Sequence, residues 1–523
     1  EIKTVFMEQS SSAGPVQIVS ITDDHKFVLD EKKLKEILYH KRAQGRKISL
    51  VSIAGDFRKG KSFMLDFFLR YLRAKNQKDW IGKDNEPLKG FDWRGGAGRH
   101  TTGMIMWSEP FLMSLSNGEE IAVLLMDTQG TFDSNSTVFE NAFIFALTLL
   151  VSSVTVYNIM HNLQEDNLQH LSFFAEYGVL AIDAYHTSPF QQLTFLVRDW
   201  QFEYETSYGF EGGEEILTKR LQIRPNQHHD LELVRSRLRQ CFRKVNCFLM
   251  PHPGLKVTNR RDFDGRLEDI EKDFKTQLQG FIPELFRLDN TNFVKEINGE
   301  QITSTQLFEY FRTYCAVFAS GDLPSPKAML EATAEANNLA AKAVSKEFYM
   351  RAMEQHCGGD RPYIHPNQLD VLHKEVRRQS IEKFRCARKM GGEEMSQNYQ
   401  QDLDNEITEL YLNFKKHNDS KNVFAFSRTP TTFISSMILC YLIAGILDTI
   451  WLGGINFIFM FAFWVCFVLL FVWLYTKYSG EYAEIGEYID YFADVIWNNG
   501  FQPVYSRCLR SAMRSVLGHT KVE

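Results

Sequence analysis

Several features that would assign the sequence to a common class are missing from it. Its net charge is -6, without the basic excess typical of nucleic-acid-binding proteins. Its eight cysteines include no C-x-x-C pair and no dense framework. This usage argues against zinc sites and disulfide scaffolds and favours a reducing compartment. The first residues lack the basic and then apolar order of a secretory signal. Finally, no lysine or arginine occurs between Arg428 and Lys477.

The length of 523 residues and the apolar content of 44% predict two to four domains with a sizeable core. From about residue 21 to 320, short apolar runs alternate with helical patterns, which predicts an α/β domain with a mostly parallel sheet. "ISLVSIAG", "IAVLLMD" and "LTFLVRD" are the clearest strands, although a short apolar run can also be buried helix. Ligands bind at the carboxyl ends of such strands.

Composition divides the chain into segments. The Pro-containing stretch "GDLPSPK" predicts a linker, and three helical stretches with short connections predict an antiparallel bundle after it. The predicted order is a flexible N-terminal tail (1–20), the α/β domain (21–320), a linker (321–326), a three-helix middle domain (327–420), a transmembrane hairpin (430–478) and a cytosolic amphipathic tail (479–523).

The hairpin is predicted from two apolar segments, Phe433–Trp451 and Phe457–Tyr475, joined by the short connection "LGGIN". Each is close to the about 20 residues that cross a bilayer core. Asp448 is the only charged residue in the pair, and its place beside the turn lets it reach an interface. Cations flank both outer ends, so both flanks are expected in the cytosol. The alternative is a pair of buried core helices.

The stretch "GDFRKGKS" contains Gly55-x-x-x-x-Gly60-Lys61-Ser62, the phosphate-binding loop of nucleotide hydrolases. A strand precedes it and a helix follows it, as the motif requires. Backbone N–H groups of such a loop surround the phosphates, Lys61 pairs with the β- and γ-phosphate oxygens, and Ser62 ligates Mg²⁺. The sequence therefore predicts a site for a nucleoside triphosphate with Mg²⁺.

"MDTQG" supplies a second element, D-x-x-G, at the end of a predicted strand. Asp127 would hold Mg²⁺ through water, and the Gly130 N–H would contact the γ-phosphate. The glycine-rich segment "WRGGAGRHTTG" lies between the two motifs, and Thr101 or Thr102 could bring a hydroxyl onto Mg²⁺. The alternatives are an ordinary strand end and an ordinary flexible loop.

The nucleobase is harder to assign, because the usual guanine reader Asn-Lys-x-Asp is absent from the end of any suitable strand. "VRDW" stands in such a place. Asp199 could accept the two guanine donors, N1–H and N2–H₂, and Arg198 could cover the base plane. A bare Arg-Asp pair is also a common surface ion pair.

The motifs "GDFRKGKS", "WRGG…TTG", "LLMDTQGTFDS", "QEDNLQHLSFFAEYG", "FLVRDW", "CFLMPHPGLKV" and "ATAEANNLAA" together resemble the atlastins. These are dynamin-superfamily GTPases of the endoplasmic reticulum, related to guanylate-binding proteins. The resemblance runs from about residue 20 through the hairpin. It implies that the α/β domain is a dynamin-type GTPase domain and that Mg²⁺ acts with GTP as substrate.

The resemblance also implies roles for individual residues. Arg58 matches the family's internal arginine finger, which would act in catalysis with Lys61 and Thr101. Arg198 and Asp199 match the guanine motif, and Val257 lies in the segment that caps the base. Ser62, Thr101 and Asp127 are the implied metal ligands. Further nucleotide contacts are implied for Lys59, Gly60, Phe63, Arg94, Arg99 and Gly130.

Function follows from the same resemblance. It implies nucleotide-dependent homodimerisation, tethering and homotypic fusion of endoplasmic reticulum membranes. The implied partners are the chain itself, the phospholipid bilayer and ER-shaping proteins. No nucleic-acid partner is implied. The alternative is a GTP-binding tether or curvature-shaping protein with little fusion activity. Asp56 favours that alternative, because it places an acid beside the phosphates where many relatives have alanine or another residue. Thr131 occupies the place of a catalytic glutamine, so the group that orients water stays open, with the Thr101 region as our hypothesis.

The tail contains an apolar stripe at helical spacing, which predicts an amphipathic helix. The stripe consists of Ile485, Tyr488, Ile489, Phe492, Ala493, Ile496 and Trp497, and the opposite face carries Glu484, Glu487, Asp490 and Asp494. A shorter pattern follows with Arg507, Arg510 and Arg514. We expect the stripe to enter the bilayer interface. The alternative is that it packs on the protein itself.

Overall fold

The computed structural model describes residues 13–22, 26–56, 59–74, 79–91, 103–130, 137–223, 229–260, 262–287, 293–318, 324–359, 361–421, 423–449, 453–479 and 482–503. The chain divides into two compact units, one of Glu1–Met350 with Val376–Ile407 and the other of Arg351–Glu375 with Thr408–Glu523. Two large apolar cores lie in the first unit, and a smaller apolar cluster lies in the second.

A nine-stranded sheet dominates the first unit. Its strands are β1 (Pro15–Ile21), β2 (Phe27–Leu29), β3 (Ile48–Gly55), β4 (Met104–Trp107), β5 (Phe111–Ser114), β6 (Glu120–Thr128), β7 (Val154–Met160), β8 (Phe190–Arg198) and β9 (Phe242–Leu249). The order is β2-β1-β4-β6-β3-β7-β8-β9, with β5 paired to β6. Strands β6, β3, β7, β8 and β9 run parallel, which confirms the predicted α/β fold with a mostly parallel sheet. A separate short pair consists of β10 (Glu296–Ile297) and β11 (Glu300–Gln301).

Helices surround this sheet and begin at recognisable caps. Asp30 accepts the Lys33 N–H at the start of α1, and Thr137 forms a capping box with Glu140 at the start of α3. The helices are α1 (Glu31–Leu38), α2 (Lys61–Arg73), α3 (Val138–Val151), α4 (Glu165–Gln169), α5 (Ser172–Tyr185), α6 (Gly209–Leu221), α7 (His229–Cys241), α8 (Leu255–Asn259), α9 (Lys272–Leu285) and α10 (Ser304–Phe318).

The central strands are buried on both faces, because helices cover both sides of a parallel sheet. Every residue of β3 and of β8 is buried, which explains why these strands are nearly continuous apolar runs. Parallel pairing also aligns the carboxyl ends of the strands. Ile53 of β3 is opposite Asp127 of β6, Gly55 is opposite Asn158 of β7, and Met160 is opposite Arg198 of β8. The predicted motifs therefore lie along one edge of the sheet.

The predicted N-terminal tail is too long, because its last residues form β1. This strand pairs antiparallel with β2 and with β4. Ile18 and Val19 are fully buried in the core. The polar Ser- and Gly-containing composition ends at Gly14, and the β-branched run that follows has enough apolar surface to join the sheet.

Three long helices follow: α11 (Pro326–Cys357), α12 (Pro366–Cys386) and α13 (Gly392–Ser420). Helices α11 and α12 each begin at a proline, which suits the first helical position because its missing N–H has no intrahelical acceptor there. Within the first unit, the three helices are joined by polar contacts. Arg377 forms two hydrogen bonds of 2.6 Å with Asp404, and Ser380 donates to the Ser345 carbonyl at 2.7 Å. Of the predicted linker 321–326, residues 321–323 lie outside the described ranges.

In the second unit, the end of α13 is fastened to the turn after α11. The fully buried Asn418 accepts the Ile364 N–H at 2.9 Å and donates to the Ile364 carbonyl at 2.8 Å. Lys421 donates to the carbonyls of Cys357 and Arg361 at 2.9 and 3.2 Å. These bonds satisfy backbone groups at a helix end that would otherwise have no partner.

The predicted hairpin consists of α14 (Val423–Thr449) and α15 (Gly453–Ser479). Arg428–Asp448 and Asn456–Lys477 are long and apolar enough to cross a membrane, and only 17% and 6% of these windows are buried. A soluble core helix would be mostly buried, so the exposure argues against that alternative. Asp448 accepts a hydrogen bond of 3.5 Å from Asn456 beside the turn.

The amphipathic tail forms α16 (Ala483–Ile496), followed by a single π-helical turn, Trp497–Phe501. The second predicted pattern, with Arg507, Arg510 and Arg514, lies outside the described residues.

Candidate nucleotide-binding site

The phosphate loop connects β3 to α2, and glycines allow its path. Gly55 has a φ of +131° and Gly60 a φ of +74°, a region that side chains disfavour. A Cβ on Gly55 would lie 2.0 Å from the Asn158 carbonyl oxygen, and one on Gly60 would lie 3.3 Å from the Arg198 guanidinium. Gly60 ends the loop as the N-cap of α2, where free N–H groups can bind phosphate.

Lys61 lies inside this loop with only 7% of its surface exposed. Its ammonium donates to the carbonyls of Gly55 at 3.2 Å and Asp56 at 2.8 Å. Burial lowers the Lys61 pKa to about 8, while Asp127 and Asp56 act in the opposite direction. A phosphate beside this ammonium would supply compensating negative charge, which is the role predicted for Lys61.

Ser62 and Asp127 meet as the metal prediction requires. The Ser62 hydroxyl donates to one Asp127 carboxylate oxygen at 2.5 Å. Asp127 is 1% exposed at the end of β6. A hydroxyl and a carboxylate are the hard oxygen ligands that Mg²⁺ prefers, so this donor set fits that ion. When bound, Mg²⁺ would neutralise charge on the phosphates, and Ser62 and Asp127 would hold it there.

Two buried amides tie the loops together, and the sequence analysis had singled out neither of them. Asn158 of β7 donates to the Lys59 carbonyl at 3.0 Å. The side-chain oxygen of Gln129, inside the D-x-x-G motif, accepts the Gly103 N–H at 2.9 Å. The backbone N–H of Gln129 donates to the Gly103 carbonyl at 2.8 Å. Gly130 follows, buried beside them. Only the place of Gln129 within a motif could have indicated its role.

Arg198 ends β8 on the same edge, and Asp199 follows it. Arg198 is 4% exposed, and its guanidinium lies 3.5 Å from the Gly60 carbonyl and 5.3 Å from the Phe274 ring centroid. Burial lowers the Arg198 pKa, with Asp199 opposing that effect. Arg198 therefore has a contact with the phosphate loop that the sequence did not predict.

Asp199 has a φ of +56°, a conformation that is uncommon for a residue with a side chain. Flanking hydrogen bonds hold it, since His161 donates to the Arg198 carbonyl at 2.8 Å and Trp200 donates to the Met250 carbonyl at 3.0 Å. Backbone strain of this kind is often found at functional sites. The geometry is consistent with a preorganised acceptor for a base.

The predicted base-capping segment forms a turn and the short helix α8. His252 accepts the Gly254 N–H at 2.9 Å, and Val257 donates to the Gly254 carbonyl at 3.2 Å. Val257 is partly buried, and Phe63 is packed against Phe67, Phe263 and Phe274. Four further predicted residues, Arg58, Arg94, Arg99 and Thr101, lie outside the described ranges.

Comparison with known proteins gives the site its context. Residues 24–295 match the guanylate-binding protein N-terminal domain, and residues 298–424 match the guanylate-binding protein C-terminal domain. The chain is 48% identical to Atlastin-1 of Bos taurus over 94% of this chain and 88% of that protein. It is 48% identical to Atlastin-2 of Homo sapiens, over 96% and 86%, and 46% identical to Atlastin-2 of Xenopus laevis, over 96% and 88%.

The chain belongs to the atlastin family.

It is accordingly a GTPase of the dynamin superfamily, and the resemblance seen in its motifs is confirmed. The atlastin relationship agrees with the pairing of a phosphate loop and two candidate membrane helices in one chain.

Within this atlastin site, Asp56 is an acid next to the phosphate position. Burial raises the pKa of its carboxyl, whereas Lys61 and Lys59 lower it and Asp166 raises it further. Asp56 lies in the phosphate loop, where its backbone carbonyl accepts from Lys61. A carboxylate near the phosphates would oppose their binding, because like charges repel.

We predict that Asp56→Asn strengthens GTP binding and removes one source of its pH dependence. Protonated Asp56 does not repel phosphate, so the affinity of the parent relative to Asp56→Asn is highest below the Asp56 pKa and falls as the pH rises through it. The amide cannot titrate. Calorimetric titration with GTP from pH 5 to 8 gives the affinities of the parent and of Asp56→Asn. Their ratio isolates the contribution of Asp56, because protonation of the nucleotide affects both proteins alike.

Glu36→Gln, an exposed acid on α1, is the matched control and should follow the parent. A ratio of affinities that does not change with pH would contradict the role of Asp56.

We further predict that Asp199→Asn weakens GTP binding and favours xanthosine triphosphate. The new amide donates where guanine also donates, whereas xanthine offers an oxygen acceptor. Loss of hydrogen bonds to a charged group costs about 1.5–3 kcal/mol, or roughly 10- to 100-fold in affinity. Competition between the two nucleotides measures the change, with the exposed Asp183→Asn as control. Unchanged discrimination would place base recognition elsewhere.

Proposed function

We propose that this GTPase is anchored in the endoplasmic reticulum membrane and couples GTP binding and hydrolysis to dimerisation, tethering and homotypic fusion. The observation that carries the proposal is the presence, in one chain, of a complete phosphate loop and a hairpin of exposed apolar helices. The curated relatives named Atlastin support the same assignment.

Orientation is proposed from charge. Arg428 precedes the first apolar segment and Lys477 follows the second, and the membrane-inserted part between them contains no cation. Positive residues are retained on the cytosolic side, so both ends of the hairpin belong in the cytosol. The GTPase domain then faces cytosolic GTP and Mg²⁺. Other copies of the chain on opposing membranes are its proposed partners, with ER-shaping proteins as further candidates.

Coupling is proposed through the loops at the phosphate edge. Contacts from the γ-phosphate order the loops of GTPases and are lost on hydrolysis. Here Gln129 binds both backbone groups of Gly103, so the loop before β4 and the loop after β6 are tied together. Arg58 would move onto the γ-phosphate when two GTPase domains meet, and so would link hydrolysis to contact with the partner.

A second candidate function is supported by Asp56. An acid beside the phosphates lowers affinity or turnover, and slow turnover suits a protein that tethers or curves membranes more than it fuses them. This protein would bind GTP and dimerise with little lipid mixing.

We predict that Arg58→Ala retains GTP binding but loses most of its hydrolysis. An arginine finger stabilises charge that develops on the transferred phosphoryl group, and its loss costs roughly 10³–10⁵ in turnover. Steady-state phosphate release measures this. Lys61→Ala, which removes the buried ammonium expected to contact the phosphates, should instead abolish binding itself. Parental turnover in Arg58→Ala would remove the residue from the mechanism.

Fusion itself is tested by lipid mixing between two populations of proteoliposomes that contain the full chain. We expect mixing that requires both GTP and Mg²⁺ and that is absent with Lys61→Ala. GTP-dependent clustering of the vesicles without lipid mixing would favour the tethering function. If GTP turnover were normal but the vesicles showed no clustering and no lipid mixing, both candidate functions would be contradicted.

A further inference from the structure

The tail helix α16 packs against the cytosolic ends of both hairpin helices. The contact region, which we call the hairpin base, consists of Arg428 and Thr429 of α14 and Trp473, Thr476 and Lys477 of α15. Every one of these residues contacts α16 or the turn that follows it. The sequence analysis expected the stripe of this helix to enter the bilayer interface, with packing on the protein itself as the alternative.

Asp490 is the centre of the polar contact. One carboxylate oxygen accepts the Thr429 hydroxyl at 2.6 Å and the Trp473 indole N–H at 2.6 Å. The Lys477 ammonium lies 3.0 Å from the other oxygen. Three donors from two membrane helices thus converge on one carboxylate, and hydrogen bonds to an ionised group are stronger than neutral ones.

A second ion pair lies one turn further along α16. Arg428 is 3.2 Å from Asp494 and donates to the Asn498 side chain at 2.6 Å, and its guanidinium lies 5.9 Å from the Trp497 ring centroid. The sequence analysis placed Asp490 and Asp494 on the acidic face opposite the apolar stripe. It did not predict that both acids pair with cations of the hairpin base.

Apolar contacts accompany these polar ones. Ile489 and Ala493 are 6% and 0% exposed, in one cluster with Phe433 and Trp473. Gly486 faces Thr476 so closely that a Cβ on the glycine would lie 2.9 Å from the threonine hydroxyl oxygen. Glycine at position 486 therefore allows the close approach of α16 to α15.

Docking divides the predicted apolar stripe into two faces. Ile489 and Ala493 face the hairpin, whereas Ile485, Tyr488 and Phe492 are 45%, 75% and 50% exposed. A helix that carries four acids would be repelled by an anionic membrane surface. Pairing Asp494 with Arg428 and Asp490 with Lys477 reduces that repulsion. Glu484 and Glu487 are the other two acids of α16, and both are exposed.

We propose that α16 is a third helix of the membrane anchor, docked on the hairpin base by Asp490, and that this docking turns Ile485, Tyr488 and Phe492 towards phospholipid. The proposal rests on the proposed function in one respect, that the hairpin lies in a bilayer. Asp490 is a positioning residue: it sets the rotation of α16 and so decides which part of the stripe meets lipid.

A disulfide tests the docking directly. A Cβ at position 486 would lie 3.5 Å from the Thr476 Cβ, within the range of about 3.5–4.5 Å for disulfides. Gly486→Cys with Thr476→Cys, in the full chain in phosphatidylcholine liposomes, should form an intrachain cross-link on mild oxidation. Peptide mass spectrometry distinguishes it from bonds to native cysteines. The pair Tyr488→Cys with Thr476→Cys is the control, because Tyr488 faces outward. Equal yields from the two pairs would overturn the docked arrangement.

The role of Asp490 is tested on that cross-link. Asp490→Ala should lower the yield several-fold, and Asp490→Asn less, because its amide oxygen can still accept from Thr429 and Trp473. Glu487→Ala removes the same charge from an exposed position and should leave the yield unchanged. An undiminished yield in Asp490→Ala would overturn the assignment, and GTP turnover at the parental rate shows that the variant folds.

Lipid contact is measured with a photoactivatable phosphatidylcholine in the same liposomes. Adducts should concentrate on Ile485, Tyr488 and Phe492 and should be several-fold fewer on Ile489 and Ala493. Asp490→Ala should reduce the difference in adduct yield between these two groups of residues. Equal labelling in the parent would indicate a free amphipathic helix and would overturn the proposal. None of these readouts requires fusion, so a failure of lipid mixing would affect the proposed function and leave the docking intact.

Discussion

The nucleotide site depends on the close approach of the phosphate loop to the neighbouring strand. At Gly55 the chain leaves β3 so near to Asn158 of β7 that a side chain would lie 2.0 Å from its carbonyl oxygen. This approach fixes the start of the loop against the sheet. Lys61 then folds back onto the loop carbonyls, and Ser62 reaches Asp127. Any residue other than glycine would force either the strand pairing or the loop to move.

The electrostatic character of the site follows from how its cations are buried. Lys61 and Arg198 both contact backbone carbonyls, which stabilise a cation without cancelling its charge. Burial lowers the Lys61 pKa, and Asp127 and Asp56 offset that effect only in part. A phosphate would therefore meet buried cationic donors that are already in place at the edge of the sheet. Because the donors are held by the fold, little reorganisation is needed when an anion binds.

The sequence predicted what is encoded in short contiguous patterns. The phosphate loop, the D-x-x-G motif and the strand before Asp199 each combine a buried strand with a polar residue at its end, so both the elements and their common edge could be inferred. Asn158 and Gln129 could not be assigned roles, because their partners are distant in sequence or are backbone groups. The stripe of α16 was found by its period, but periodicity does not indicate whether protein or lipid covers a face. For that reason the roles of Ile489 and Asp490 emerged only from the structure.

The fastening of α13 by Asn418 and Lys421 has a mechanical consequence for the membrane. Helix α13 ends at Ser420 and α14 begins at Val423, so two residues separate them. An extended chain spans at most about 3.3–3.6 Å per residue, so the two residues of this junction can span at most roughly 7 Å. Since the bonds to Ile364, Cys357 and Arg361 prevent the end of α13 from unwinding freely, a tensile load on that helix end would pass almost directly into the bilayer. A pull on the end of α13 would therefore reach the first membrane helix after little extension of the chain.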